Sequence, residues 1–363
     1  MNILFLTYQG DIAGSTNSVF YLAKGLADMG HTVVAGLRKQ SLLYGMFANT
    51  RVITEEMTFG SRFDWVNMRQ IREVVLRYQI QVINAQSGKD RYTSIFAKWI
   101  FRLPVVLVHT RRQAPKSIGG RLQNRFYIAG TDKIVVISPQ LKQTFVQKGF
   151  PAHHLKVIMN GIPEERFLQT RPENTDALRL KFRIRPNDVV IGCVSRRKKQ
   201  EQLIEALPML KNEQIKVMFV GIEPGSLDAV VKKFSVKNPV LYAGVVPNEE
   251  VMDYYPLFNL SVLPSTMDGF GLVLVEAMGM GIPVVATRAQ GIIDVLNNEQ
   301  NGLWFEDGDI QTLAAQINRI LTDNQLREKL IENGKNAAKN DFSLRHTVME
   351  YLRLFEDLVK NRH

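Results

Sequence analysis

The sequence predicts an α/β protein built from two doubly wound, parallel-sheet domains in series. Three observations predict it. Short β-branched runs alternate with helical periodicity from one end of the chain to the other, the pattern of parallel sheets covered on both faces. Both halves open in the same order: a strand, a loop rich in phosphate-binding residue types, then a helix. The length, 363 residues, exceeds what one ordinary core holds and suggests two domains.

In the first half the apolar runs fall at residues 2–6, 32–35, 51–54, 81–84, 104–108, 133–138 and 155–159. The second half restarts at 189–194 and continues at 216–220, 240–243, 260–263 and 283–286. Period-3.6 patterns predict helices over 15–29, 202–210, 310–321 and 324–339. The stretch 164–188 is polar, with no clear apolar period before 177–182, and reads as the inter-domain connection. The expected division is residues 1–168, an N-terminal domain, and 169–343, a C-terminal one. Over 344–359 the residues Val348, Tyr351, Leu352, Leu354, Phe355 and Leu358 form one apolar face, an amphipathic helix that should pack on the protein. Ligands of such sheets sit beyond the carboxyl ends of the strands, and two such domains facing each other make a cleft.

Composition narrows the class. Hydrophobic content of 45% and charged content of 22% are those of a soluble globular protein. No apolar run is long enough to span a bilayer, and the first ten residues lack the basic start of a signal peptide. One cysteine, Cys193, excludes a disulfide framework, and six scattered histidines show no ligand spacing. A reducing cytoplasm and a site without metal are expected. The net charge is +11, and thirteen basic residues between Arg62 and Arg125 face only Asp64, Glu73 and Asp90, which leaves +10 on that segment. Such a field attracts phosphates on lipid, nucleic acid or an acidic acceptor. Residues 92–102, with Ile95, Phe96, Trp99, Ile100 and Phe101, could touch a membrane, although a core helix before a strand explains them more simply.

Four loops carry candidate chemistry. The stretch from Gly10 to Asn17 follows the first strand. Its glycines, Gly14 among them, permit close approach of a ligand, and the helix behind it offers free N–H groups, although an ordinary β–α loop would look the same. Ser195-Arg196-Arg197-Lys198-Lys199 places four cations at a strand's carboxyl end, suited to a diphosphate. His109-Thr-Arg111-Arg112 follows the run 104–108; His109 could meet a substrate hydroxyl and the two arginines an acceptor phosphate, while such a histidine alone is more often structural. The fourth loop is Asp268-Gly269-Phe270-Gly271-Leu272-Val-Leu-Val-Glu276. A glycine turn opens an apolar helix whose lone Glu276 costs several kcal/mol unless hydrogen-bonded, either by sugar hydroxyls or by a loop that it holds in place. Gly281 then suits the left-handed end of that helix, and Gly291-Ile-Ile-Asp294 opens a further expected helix.

The chain resembles the retaining nucleotide-sugar glycosyltransferases of family 4, with the GT-B fold of two Rossmann-like domains facing across a cleft. The likeness covers nearly the whole chain and is carried by Asp268-x7-Glu276 within the segment 264–287, with support from Val157-Ile-Met-Asn160-Gly161, Leu203-Ile-Glu-Ala206 and Asn301-Gly302-Leu303. The resemblance implies that Glu276 hydrogen-bonds the donor ribose, and that Asp268 with the backbone of Gly269 to Leu272 holds sugar hydroxyls and phosphates. It implies that Arg196 with Lys198 or Lys199 neutralises the leaving diphosphate, that Gly14 approaches that diphosphate, that Val246 lies near the base, and that His109 lies near the transferred sugar. It also implies retained anomeric configuration without a bound metal or other cofactor, and a terminal helix that returns to the first domain. The chain departs from the family pattern in having Asp268 for a glutamate, Ser195 for a glycine, no glycine after the lysines and Asp294 for another glutamate.

The expected function is transfer of a hexose or related sugar from a nucleotide-sugar, a UDP-sugar first, to a cell-envelope glycan or glycolipid such as lipopolysaccharide core. The partners expected are that donor, that acceptor and an anionic membrane surface on the cytoplasmic side. Two other classes compete. A nucleotide-sugar epimerase of similar architecture would release nucleotide without an acceptor. A nucleic-acid binder would explain the high pI, but clustered aromatics beside the basic residues and any recognised module are missing, so no nucleic acid is expected.

Overall fold

The structure is a computed structural model that describes residues 1–362 except 12–13, 114–119, 169, 213 and 267–269. The chain divides into two compact units, Met1–Gly161 with Leu344–His363, and Ile162–Ser343. The division falls earlier than the 168/169 boundary suggested by polarity. Ile162 N–H bonds the carbonyl of Phe342 at 2.8 Å, and Arg166 is buried in the second unit, so the polar stretch is bound to that unit from its start.

In the first unit β1 (Asn2–Thr7), α1 (Gly14–Asp28), β2 (Thr32–Arg38), α2 (Leu43–Phe47), β3 (Ile53–Met57), α3 (Trp65–Arg77) and β4 (Val82–Ala85) lead to α4 (Gly88–Ile100), β5 (Val106–Arg111), α5 (Arg121–Gly130), β6 (Lys133–Val136), α6 (Pro139–Gln147) and β7 (Leu155–Val157). The second unit runs α7 (Pro172–Lys181), β8 (Val189–Val194), α8 (Glu201–Ala206), β9 (Ile215–Val220), α9 (Asp228–Lys233), β10 (Val240–Gly244), β11 (Leu260–Leu263), α10 (Leu272–Gly279), β12 (Val284–Thr287), β13 (Leu303–Phe305), α11 (Ile310–Thr322) and α12 (Asn324–Asn340). Last comes α13 (Leu344–Lys360), which belongs to the first unit and packs against α1.

The first sheet has the order β3-β2-β1-β4-β5-β6-β7 and the second β10-β9-β8-β11-β12-β13; every recorded pairing of named strands is parallel. The strands read as near-continuous apolar runs because both faces are covered. Alternation still sorts them. Ile3, Phe5, Val33, Ala35, Val106 and Val108 join the core under α1 and α13, which leaves His109 and Arg111 for the other face of β5. The amphipathic face predicted for α13 is the one buried there, with Val348, Tyr351 and Phe355 in the core.

Three elements differ from expectation. β13 is only three residues long and lacks a periodic signal, so it escapes sequence reading. The helix expected over 202–210 ends at Ala206 and tightens into a 3-10 turn at Leu207–Met209, where Pro208 removes an N–H. Gly291 to Asp294 form turns rather than a helix, with Ile292 and Ile293 both bonding back to the carbonyl of Ala289.

Candidate functional site

In the second sheet the strand order reverses between β8 and β11, the place where doubly wound sheets take ligands. The two loops that leave these strands are the two most chemically marked in the sequence. The cationic loop 195–199 follows β8, and the glycine turn before α10 follows β11. They touch: Lys199 N–H bonds the carbonyl of Pro264 at 3.3 Å.

The cationic loop is built on Gln200, which is fully buried. Its Nε2 donates to Ser195 Oγ and to the Arg196 carbonyl, both at 2.9 Å, and its Oε1 accepts from Lys198 N–H at 2.6 Å. This latch leaves the cations in unequal states. Lys199 pairs with Asp307 at 3.0 Å and Arg197 with Glu201 at 3.3 Å. Arg196 is exposed and has no carboxylate within 4 Å among the described residues. Of Arg196, Arg197 and Lys199, Arg196 is therefore the one with no carboxylate partner among the described residues.

Asp268 and Gly269 lie outside the described residues. The turn resumes at Phe270, which is buried edge-on against Phe342 at 5.7 Å. Gly271 caps α10 in the left-handed region (φ 68°), and a Cβ there would stand 3.3 Å from Leu274 Cδ1, so only glycine fits without strain. Leu274 N–H returns to the Gly271 carbonyl, and Leu272 and Val273 supply N–H groups of the first turn at the positive end of the helix. The far end closes as predicted: Gly281 (φ 75°) bonds Met278 and Ile282 bonds Ala277, the double bond of a Schellman end.

Glu276 is buried and doubly hydrogen-bonded. Arg166 Nε donates to its Oε1 at 2.7 Å and Tyr255 Oη to its Oε2 at 3.0 Å. Arg166 Nη2 reaches Asn248 Oδ1 at 3.0 Å. Burial and then the Glu276 charge push the Tyr255 phenol well above its ordinary pKa, so it stays a donor. Glu276 thus does hold a loop, the turn Glu164–Leu168. Phe167 of that turn sits where a Cβ of Gly279 would be, 2.3 Å from its ring edge, which is why the helix carries glycine there. Two of the roughly four acceptor positions of the carboxylate are taken, so it can still accept from hydroxyls. Val246 is half-buried just after β10.

Sequence reasoning missed Arg166, Tyr255, Gln200, Asn248 and Asp307. Arg166 lies 110 positions from Glu276 in a stretch without period, so no local signal marks it.

The first unit corrects one expectation. β5 runs on to Arg111, so His109 lies inside the strand, paired with Ala85 and Ile134, and not beyond its end. It is fully buried, edge-on to Tyr127 at 5.8 Å, and neither ring nitrogen has a hydrogen-bond partner. Burial first, then the charges of Arg91 and Arg111, hold its pKa well below the ordinary value, so the ring is neutral. Direct contact with a substrate hydroxyl does not fit a side chain covered in this way. Arg111 is also buried, over the rings of Phe145 (5.0 Å) and Tyr127 (5.7 Å), and burial with the nearby Arg91 brings it down to about 9. Arg112 is half-buried and donates to Gln86 Oε1 at 2.5 Å. Beside it, Asp90 accepts from Gln86 N–H, Ser87 N–H and Ser87 Oγ in the capping box of α4, so its charge is already used. Gly14 is the exposed first residue of α1, in the loop after β1.

Residues 176–337 match the glycosyl transferases group 1 family and residues 12–166 match glycosyltransferase family 4; between them the two matches take in most of the chain. The chain is a GT-B glycosyltransferase. It is 25% identical over 283 residues to the capsular polysaccharide biosynthesis glycosyltransferase CapM of Staphylococcus aureus, covering 72% of this chain and 73% of CapM. It is 24% identical to the N-acetyl-alpha-D-glucosaminyl L-malate synthase of Bacillus anthracis, over 98% of this chain and 97% of that one. It is 26% identical to the lipopolysaccharide core biosynthesis glycosyltransferase LpsE of Rhizobium meliloti, over 63% of this chain and 65% of LpsE, just under two thirds of that protein. Among solved structures, the glycosyltransferase from Rickettsia africae has a TM-score of 0.87 at 21% identity, with 99% of each chain covered. Anabaena HepE, solved in complex with UDP and glucose, has 0.82 at 22%, covering 98% of this glycosyltransferase and 100% of HepE. At these identities the structural likeness is one of fold.

Proposed function

We propose that this glycosyltransferase moves a hexose or related sugar from a nucleotide-sugar, a UDP-sugar first, to a cell-envelope glycan or glycolipid, with retention and without a metal. The observation that carries the proposal is that the two loops leaving β8 and β11 at the switch point of the second sheet, one with the exposed Arg196 and one opening α10, touch each other. Both suit the diphosphate, and the buried Glu276 four residues into the helix suits the ribose.

The step breaks the bond between the anomeric carbon and the diphosphate and forms one to an acceptor hydroxyl. The nucleoside diphosphate leaves as an anion and takes the acceptor's proton, so no protein nucleophile is required. Arg196, Lys198 and Lys199, with the N–H groups at Phe270 to Leu272, stabilise the developing charge in the place a metal would take. Engagement of Lys199 would draw it from Asp307, a surface pair worth under about 1 kcal/mol. Asp268 and Gly269 are assigned to the donor sugar and phosphates, Gly14 to the diphosphate and Val246 to the base. Arg111 and Arg112 are assigned to an anionic group of the acceptor, with His109 as a neutral neighbour that supports Arg111. The names of CapM and LpsE, capsule and lipopolysaccharide proteins, support an envelope acceptor. Such acceptors are membrane-held, so attachment to the inner face of the cytoplasmic membrane belongs to the proposal.

Titration calorimetry of a nucleotide-sugar panel tests the donor. One UDP-sugar should bind in the presence of a chelator, and Glu276→Gln should weaken it at least tenfold while UDP-phosphate contacts persist. Equal affinity in the variant removes Glu276 from the ribose. Release of nucleotide at full rate without acceptor would instead indicate an epimerase.

A further inference from the structure

We propose that a cavity beside β7 in the first unit is a second anion site, one that takes the phosphate monoester of a small sugar or polyol. The cavity has a volume of about 540 Å³, within the range of small-molecule sites. Its walls come from β6, β7, α6 and α13, and β7 is the edge strand of its sheet. Lys133 is the first residue of β6 and Leu155 the first of β7, so the cavity lies at the amino ends of these strands. In the register of β5 with β6, Val108 faces Lys133 and Arg111 faces Val136. The arginines assigned to the acceptor therefore stand three positions further along, roughly 10 Å away at the other end of the sheet.

Charge in the cavity is unbalanced. Lys133, Lys142, Lys156 and Arg353 line it against two carboxylates, Glu350 and Asp357, a formal net charge of +2 with His153 counted neutral. Glu350 is shared by two of the cations, Lys156 at 3.1 Å and Arg353 at 3.0 Å. The Lys156 ammonium in particular holds the Glu350 pKa below its ordinary value, so that carboxylate is ionised. Lys133 donates from Nζ to the His153 carbonyl at 2.9 Å, and neither Lys133 nor Lys142 has a carboxylate within 4 Å among the described residues. A lysine on an edge strand also blocks pairing with a further strand. The exposed Lys156 of β7 meets that need by itself. It does not account for Lys133 and Lys142, which are half-buried, come from β6 and α6, and line the same space.

The rest of the lining selects the occupant. A phosphate monoester carries close to two negative charges, which matches the net +2, whereas a carboxylate would leave half of it unmatched. Leu155 and Leu354 are buried and Leu358 is half-buried, an apolar floor for a short carbon skeleton. Asp357 has no cation within 4 Å among the described residues, and it lines the cavity with the exposed Asn361. Those two side chains can accept from and donate to hydroxyl groups. Phosphate between the lysines, carbons over the leucines and hydroxyls at Asp357 together describe a phosphorylated sugar or polyol. The site lies wholly in the first unit and stands apart from the donor and acceptor residues assigned above.

Titration calorimetry of the full chain tests it, with UDP present to fill the donor site and sorbitol 6-phosphate, inorganic phosphate and free sorbitol as probes. Sorbitol 6-phosphate should bind, inorganic phosphate more weakly, and sorbitol not at all. Lys133→Gln with Lys142→Gln keeps most of the side-chain volume and should weaken sorbitol 6-phosphate about tenfold or more, through loss of two charge-assisted contacts. Arg353→Ala, at a side chain 65% exposed, should weaken it about threefold without disturbing the fold, as circular dichroism would show. Arg112→Gln, at the other end of the sheet, should leave it unchanged. No binding of sorbitol 6-phosphate, equal affinity for inorganic phosphate, or affinity unaltered in both cavity variants would each overturn the proposal. So would loss of binding in Arg112→Gln, which would place the phosphate at the acceptor residues instead.

Discussion

Replacing Arg166 by methionine should destabilise the second unit severely. Both partners of the Arg166–Glu276 pair are out of water, with 3% and 10% of their side-chain surface exposed. The substitution keeps most of the side-chain volume and removes the charge. Glu276 would keep only the Tyr255 hydroxyl, and Asn248 would lose its donor. Stranding one member of a buried pair costs about 3–5 kcal/mol. For a cooperative unit spanning residues 162–343, that lowers the thermal midpoint by roughly 10 °C. The compensating variant is more telling than the single one. Arg166→Met combined with Glu276→Leu removes both charges and should recover most of the loss, short of about 1 kcal/mol for Asn248. Urea denaturation followed by circular dichroism gives all four corners of the cycle. A single-variant cost under about 1 kcal/mol, or a double variant that loses the sum of both singles, would refute the view that this pair holds the turn Glu164–Leu168 on α10.

Three further outcomes follow from the same geometry. Arg196→Ala should lower kcat/KM for transfer by about 100-fold or more with little change in stability, whereas Lys199→Ala, which loses an exposed pair, should cost less; steady-state kinetics with a fixed acceptor compares them. The His109 pKa is depressed in the folded chain, so the unfolded chain binds the extra proton. The stability that its neutral burial confers is present above about pH 6.5 and falls by about 1.4 kcal/mol per pH unit below that; denaturant midpoints from pH 7 to pH 5 should show a shallower fall in His109→Phe than in the parent. Gly279→Ala should cost about 1–3 kcal/mol by forcing the Phe167 ring from α10, visible as a lower thermal midpoint, while Gly308→Ala, with open space at its Cβ but a positive φ, should cost only about 1 kcal/mol.

The sequence by itself determined the order of elements, the restart at Val189, the ends of α10 and α13 and the two marked loops. Each depends on neighbours within a few positions: period-2 or period-3.6 apolarity, or a glycine where φ must be positive. It also left open whether Glu276 met a ligand or a loop. Tertiary structure supplied the loop, because Arg166 comes to Glu276 across 110 positions and no local pattern encodes such a pairing. Tertiary structure likewise decided that His109 is inside β5, since the end of a parallel strand is set by its neighbours β4 and β6, not by its own composition. It decided that Arg196, unlike Arg197 and Lys199, is uncompensated among the described residues, because Glu201 and Asp307 approach those two and not Arg196.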